Sequence, residues 1–418
     1  MRASLTLLVV ISFCAVVATA QDLFEAVKRD DSAMARSLIA KDPTRVNETD
    51  RYSLAPLHHA AMKGSREMVE LLLAAGAQLD RRTRLNQTAQ ELALQHGHPE
   101  IARLLVDRGA DPTPGEWPVI RGDFVGEALP GAAPVLFSPL IHSSILWDHG
   151  APAFTRDGRE VYWSVVFDDD TSVILGMSRK DGAWCRIEAL PFSQARYRDV
   201  SPSLSADGKQ LFFTSCRPAT PDGKTGAYNM WLVERREEGW SEPRLLAPEI
   251  ASGKDGRPFF PVEGVLYFGS WRAGSVKGSN IFHTQQVNGR FAAPVRLEAP
   301  FNTDNAMPTW VSADESCLIF ESFRPGGLGG SDFWMAFRRT DGSWGEALNL
   351  AEGINSEGND WFGGFSPDGK FFFFVSDRDG NNDVYWIDAK VTRDLIATGG
   401  KRAGAHRTSR SGAGDGGT

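Results

Sequence analysis

A unit of about 50 residues recurs five times between residues 149 and 390, and this periodicity limits the folds open to the chain. Three copies keep one core: Pro152-Ala153-Phe154-Thr155-Arg156-Asp157-Gly158, Pro202-Ser203-Leu204-Ser205-Ala206-Asp207-Gly208 and Gly363-Gly364-Phe365-Ser366-Pro367-Asp368-Gly369. Two are degraded at the turn, with Glu263-Gly264 after Pro258 and Asp314-Glu315 after Pro308. Asp-Gly between apolar runs marks a hairpin, because glycine accepts positive φ. An apolar run follows each turn: Val161-Tyr162-Trp163, Leu211-Phe212-Phe213, Val265-Leu266-Tyr267-Phe268, Cys317-Leu318-Ile319-Phe320 and Phe371 to Val375. A third run is centred on Ile174, Trp231, Ile281, Trp334 and Tyr385. The fourth segment carries an aromatic residue: Trp184, Trp240, Phe291 or Trp344.

Four short strands per repeat, repeated radially, define an all-β propeller of four-stranded blades. Consecutive aromatic residues fit sheets covered on both faces, and the 25 Phe and 12 Trp of the chain follow from such strands. Five repeats are visible, which gives five or six blades. The last repeat lacks a fourth strand. Residues 119–140 either supply it, closing the ring with an early piece of chain, or belong to a sixth blade.

A second period occupies the N-terminal part. Ala55-Pro56-Leu57-His58-His59-Ala60-Ala61 is followed 33 residues later by Thr88-Ala89-Gln90-Glu91-Leu92-Ala93-Leu94. The offset persists from Gly64 to Gly97, Leu71 to Leu104 and Gly76 to Gly109, and backward to Leu38 and Ile39. Ala60 and Ala61 let helices approach closely, and Met68, Val69, Leu71 and Leu72 form an apolar helix face. Gly76 and Gly109 suit the left-handed position after a helix. This resembles the ankyrin repeat, whose signature is Thr-Pro-Leu-His-x-Ala. Three units cover residues 21–113, a small helical solenoid. The resemblance implies protein binding through finger loops and the concave helix face. It also implies that His58 orders the backbone of its own turn. Arg81, Arg82 and Arg84 sit in one finger and are the candidate partner-binding residues there.

The longer repeats resemble the WD40-like units of TolB propellers, whose signature centres on Pro-Asp. Pro367-Asp368 keeps that dipeptide. Ser322-Phe323-Arg324 and Ser376-Asp377-Arg378 fit the family's Ser-x-Arg loop. The likeness spans residues 149–390 and implies partner binding at the channel mouth.

The chain therefore reads as a multidomain α + β protein. Residues 1–20 are a leader: Arg2, an apolar run from Leu5 to Val17, then Ala18-Thr19-Ala20 before Gln21. This predicts export to a periplasmic or extracellular compartment, and no other segment is apolar enough to span a membrane. Ankyrin repeats fill 21–113, a linker with the candidate closing strand 114–148, the propeller 149–390, and a disordered tail 391–418. The net charge of -8 argues against nucleic acid. Cys185, Cys216 and Cys317 form no CxxC pair, so no zinc or redox site and no cofactor is predicted.

Three residues before each proline position stand His149, Asp199, Asp255, Asn305 and Asp360. Equivalent positions in a ring converge on its axis, so these five form a candidate polar ring at the channel mouth. It would suit a cation or a basic or hydroxyl-rich ligand. Asp and Asn also begin strands simply by bonding their own backbone. No G-x-S-x-G, HExxH or phosphate loop occurs. The leading expectation is an exported interaction protein rather than an enzyme. The alternatives are a carbohydrate-active hydrolase using axial carboxylates and a cation or small-ligand sensor.

Overall fold

A computed structural model of the chain describes residues 23–397 apart from 51, 140, 143–147, 168–170, 194–195, 221–222, 224, 261, 276 and 351–352. The leader expected over 1–20 and the tail beyond 397 lie outside the described residues. The chain divides into two compact units.

The first unit is a stack of helix pairs. Leu23–Lys28 pairs with Ser32–Lys41, Pro56–Lys63 with Arg66–Ala74, and Ala89–Gln95 with Pro99–Asp107. Pro56 and Pro99 begin their helices, where a missing N–H costs nothing. Thr88 and Glu91 form a reciprocal capping box. Gly64, Gly76, Gly97 and Gly109 all take positive φ, between 77° and 100°. Leu57, Ala60, Met68, Leu72, Ala93, Ile101 and Leu105 share one buried core. Neighbouring units interlock at the 33-residue period. Asn47 Oδ1 accepts the N–H of Gln78 at 2.9 Å, and Asp80 Oδ1 accepts that of Asp111 at 2.9 Å.

His58 explains its place in the signature. The Ala55 N–H donates to His58 Nδ1 at 2.9 Å, and Nε2 bonds the Arg81 carbonyl at 2.9 Å. The ring is 1% exposed. It therefore ties the start of its helix to the following finger.

The second unit is a five-bladed propeller. Blade one uses Asp148–His149 with Ala153–Phe154, then Glu160–Val166, Ser172–Lys180 and Glu188–Ala189. Blade two is Asp199–Leu204, Gln210–Ser215, Asn229–Glu234 and Arg244–Leu245. Blade three is Asp255–Phe259, Val265–Ser270, Asn280–Val287 and Val295–Arg296. Blade four is Ala306–Val311, Cys317–Ser322, Asp332–Phe337 and Leu348–Asn349. Blade five is Asp360–Phe365, Phe371–Ser376 and Asp383–Asp388, with Val135–Leu136 as its fourth strand. That last strand answers how the ring closes. Val135 pairs with Trp386 and Leu136 with Tyr385. Phe137, fully buried, packs on Phe373 at 4.9 Å and Trp386 at 5.1 Å. Phe154 of blade one meets Phe373 at 5.4 Å, so aromatic rings seal the seam.

The turn residues act by a shared mechanism. Ser205 Oγ donates to Asp207 at 2.6 Å while accepting the Gln210 N–H at 3.0 Å. Thr155, Ser312 and Ser366 repeat this with Asp157, Asp314 and Asp368. Apolar side chains fill the space between blades. Tyr162 and Ile174 of blade one, for example, meet Leu211, Phe213 and Trp231 of blade two.

Two sequence expectations change. The aromatic residues assigned to the fourth strand precede it: Trp184 and Phe291 lie in short hairpin strands of their own, Ala183–Trp184 and Arg290–Phe291, that fold back on the third strand. Trp240 bridges back to Arg235 and Trp344 to Arg338, each with a guanidinium over its ring, at 4.1 and 5.1 Å. The true fourth strands begin a few residues later and are only two residues long. Second, the tail expected to lack structure from 391 begins with a helix, Lys390–Ala397.

Burial lowers the pKa of His58 from 6.5 to about 4. The folded unit thus favours the neutral ring. Its contribution is complete above the ordinary value and is lost as pH falls from 6.5 toward 4. The span is worth roughly 3 kcal/mol. Denaturant titration of the helical circular dichroism signal should show ankyrin stability falling over that window. His58→Gln should flatten the dependence, and an unchanged profile would refute this role.

Candidate functional site

The candidate ring lies where the innermost strands begin. Register places Asp199 opposite Ser215, Asp255 opposite Ser270, Asp360 opposite Ser376 and the His149 backbone opposite Val165. The same register puts Ala306, not Asn305, opposite Ser322. Asn305 is therefore not the fifth member. In blade four the proline stands two residues after the strand start, as Pro308, whereas Pro202 and Pro258 stand three after. Counting back from proline lands one residue short. Asn305 Oδ1 instead accepts the Ser279 N–H at 2.8 Å.

The three aspartates are each 1% exposed or less, and each is clamped within its own blade. Arg217 Nη2 donates to both oxygens of Asp199, at 2.8 and 2.7 Å, and Ser193 Oγ adds a bond of 2.8 Å. Asp255 accepts Arg272 Nη2 at 2.7 Å, Ser270 Oγ at 2.6 Å, and the Ser252 N–H and Oγ at 2.7 and 2.8 Å. Asp360 accepts Arg378 Nη2 at 2.8 Å and the Ser356 N–H and Oγ at 2.6 and 2.8 Å. Each arginine lies over the aromatic ring of its own second strand: Phe213, Phe268 or Phe374. Buried charges persist when they are paired and hydrogen-bonded, and a carboxylate has about four acceptor positions. These oxygens are engaged, so the aspartates act as latches joining the first strand of a blade to the loop after the second.

A different set of residues in the same strands is strained. Ser201, Arg257 and Phe362, two residues into their strands, take φ of 55°, 53° and 53°. Residues with a Cβ rarely adopt this region, and such strain marks a constrained site. Arg257 forms an ion pair with Glu321 and lies 3.9 Å from the centre of the Phe362 ring. The Phe362 N–H donates to Glu321 Oε2 at 2.9 Å. The Arg257 N–H donates to Thr214 Oγ1 at 2.8 Å. Arg257 belongs to blade three and Phe362 to blade five, which are not neighbours. The side chain therefore crosses the channel. Glu321 was visible as the one acid in the run Cys317-Leu318-Ile319-Phe320-Glu321-Ser322. The strained backbone at Arg257 and Phe362 had no glycine to announce it.

The first residue after the second strand shows a further pattern. Trp271 in blade three is 46% exposed and Phe323 in blade four 48%. They share one register position on adjacent blades, next in sequence to Arg272 and Arg324. In the ankyrin finger, Arg81 is half-buried and donates to the Asn47 carbonyl at 2.9 Å. Arg82 approaches Glu91 at 3.4 Å, and Arg82 and Arg84 are exposed.

Other chemistry is sparse. Among the described residues no group of three His, Cys, Asp or Glu is arranged to hold a metal ion, and no helix is long and apolar enough to cross a membrane. Cys185, Cys216 and Cys317 are free thiols, and burial pushes Cys317 up to about 12.

These observations define a class: a helical repeat array followed by a five-bladed propeller. Residues 23–115 match the family of ankyrin repeats in three copies. Among curated proteins the chain is similar to ankyrin repeat domain-containing protein 37 of Bos taurus, 45% identical over 60 residues, covering 14% of this chain and 38% of that protein. It is also similar to protein phosphatase 1 regulatory subunit 27 of Homo sapiens, 41% identical over 58 residues with the same coverages. The chain thus spans well under half the length of these relatives. A solved structure with a resembling fold is the putative TolB of Agrobacterium tumefaciens, at 18% identity and a TM-score of 0.38, covering 57% of this chain and 76% of that one.

Asp255→Ala would leave Arg272 buried without its counter-charge, at a cost of roughly 3 to 5 kcal/mol. Chemical denaturation should show that loss, and Asp255→Ala with Arg272→Met should recover much of it. A neutral single substitution would show that the latch holds nothing.

Proposed function

We propose that this is an exported interaction protein that binds polypeptide partners through its ankyrin fingers and through the loop face at the propeller mouth. The observation that carries the reading is the Arg257–Glu321–Phe362 crossing. It places a side chain across the channel from blade three to blade five, which favours a surface that meets a partner over a pocket that encloses a small substrate. The aspartates at the ring positions are salt-bridged and buried, which disfavours the open carboxylate pair that glycoside hydrolysis needs. Trp271 and Phe323 supply exposed aromatic anchors on neighbouring blades, and aromatic residues dominate interface energetics. The ankyrin match supports a second protein-binding surface at Arg82 and Arg84. Export rests on the leader composition of residues 1–20.

The test is affinity capture from the exported fraction of the native host, comparing the unaltered chain with Trp271→Ala/Phe323→Ala and with Arg82→Glu/Arg84→Glu. Partners lost selectively with one pair, while folding is retained, support the proposal. Identical capture by all three chains would overturn it.

A further inference from the structure

The second strands of blades two to five all end in the triplet Ser-x-Arg, but only three of the triplets close on an aspartate. In blade four Ser322 stands opposite Ala306, which is 1% exposed and offers no side-chain acceptor. The hydrogen bonding records the difference. In blades two, three and five the arginine Nε donates to the serine Oγ, at 3.0, 3.1 and 2.9 Å. In blade four Arg324 Nε and Ser322 Oγ are both buried and without a hydrogen-bond partner.

Arg324 is nevertheless held where its counterparts are held. Its Nη2 donates to the Phe301 carbonyl at 2.5 Å, as Arg272 does to Ile250 and Arg378 to Ile354. Its guanidinium lies 4.6 Å from the Phe320 ring centre and 5.2 Å from that of Trp334. Burial lowers its pKa to about 10, and Asp304 offsets this only in second place. Asp304 accepts the Asn305 N–H at 2.7 Å and pairs with Lys277 at 3.5 Å. A preorganised cation with an unsatisfied donor in a partly dry setting binds anions strongly.

We propose that the loop end of blade four is a carboxylate-binding site, in which Arg324 and Ser322 take from outside the blade the group that Asp199, Asp255 and Asp360 supply from within. The internal latches define the geometry: an oxygen within 2.8 Å of arginine Nη2, and in blade three the triplet serine, Ser270 Oγ, donating to that carboxylate at 2.6 Å. Arg324 is half-buried, and Phe323 and Leu328 beside it are 48% and 43% exposed, so a carboxylate arrives from the mouth side. It comes either from a free acid or from an acidic side chain of a polypeptide.

The full chain should be melted in sodium acetate against sodium chloride of equal ionic strength, with Trp fluorescence followed in parallel. Acetate near ten times its dissociation constant should raise the melting temperature by about 2 °C. Ala306→Asp should raise it without acetate and abolish the acetate response, because the latch is then internal. Arg324→Met should also abolish the response, and it decides the matter if Ala306→Asp fails to fold. N-acetyl-aspartyl amide provides the second arm. A response to both ligands gives a general carboxylate site, and a response to the peptide alone gives a site for a partner's side chain. No response to either, or an unchanged response in Ala306→Asp or Arg324→Met, overturns the proposal. Partner capture that persists in Arg324→Met would leave the mouth-face reading standing while this site falls.

Discussion

A ring of blades is stable only if its two ends are joined, and here the joint is two residues of backbone. Val135 and Leu136 complete the sheet of blade five, and Phe137 buries itself against Phe373 and Trp386 directly after them. Without that strand, Asp383–Asp388 would be an unpaired apolar edge, which invites pairing with other chains. Every other interaction in the propeller assumes closure. The strands approach the axis only because the ring is complete, and only then do Arg257 of blade three and Phe362 of blade five meet.

Much of this was legible in the sequence. The 33-residue offset placed the helix pairs, because ankyrin units repeat their glycines and small residues at fixed positions. The Ser-x-Asp-Gly turns placed the first hairpin of each blade. What escaped was register. A bulge at Ser201, Arg257 and Phe362 shifts the pairing of the first strand, and blade four carries its bulge after Pro308. A proline count could not see that difference, so Asn305 took the place of Ala306. The aspartates and the Ser-x-Arg triplets were both visible, yet their pairing spans about 17 residues and depends on a turn that brings strand two back. The closing strand is too short to show periodicity.

The latches change the meaning of the acidic ring. Carboxylates that look like a binding site in sequence serve to fix the loops at the mouth. The exception, the triplet whose Ser322 stands opposite Ala306, is informative because three copies state what the position ordinarily holds. Repetition within one chain thus acts as an internal reference, and a departure from it is where function is sought. The face that results has the Arg257 side chain crossing the channel, anchored loops and aromatic side chains at Trp271 and Phe323.

The central claim is that this face, rather than the interior of the channel or the opposite end of the blades, meets a partner. Strands alternate in direction, so the Asp-Gly turns lie at the far end from Trp271 and Phe323. A photo-cross-linking residue placed at 323, with a control at Asp207, tests the claim most directly. The account predicts partner adducts at 323 and none at 207. Adducts at 207 alone would contradict it.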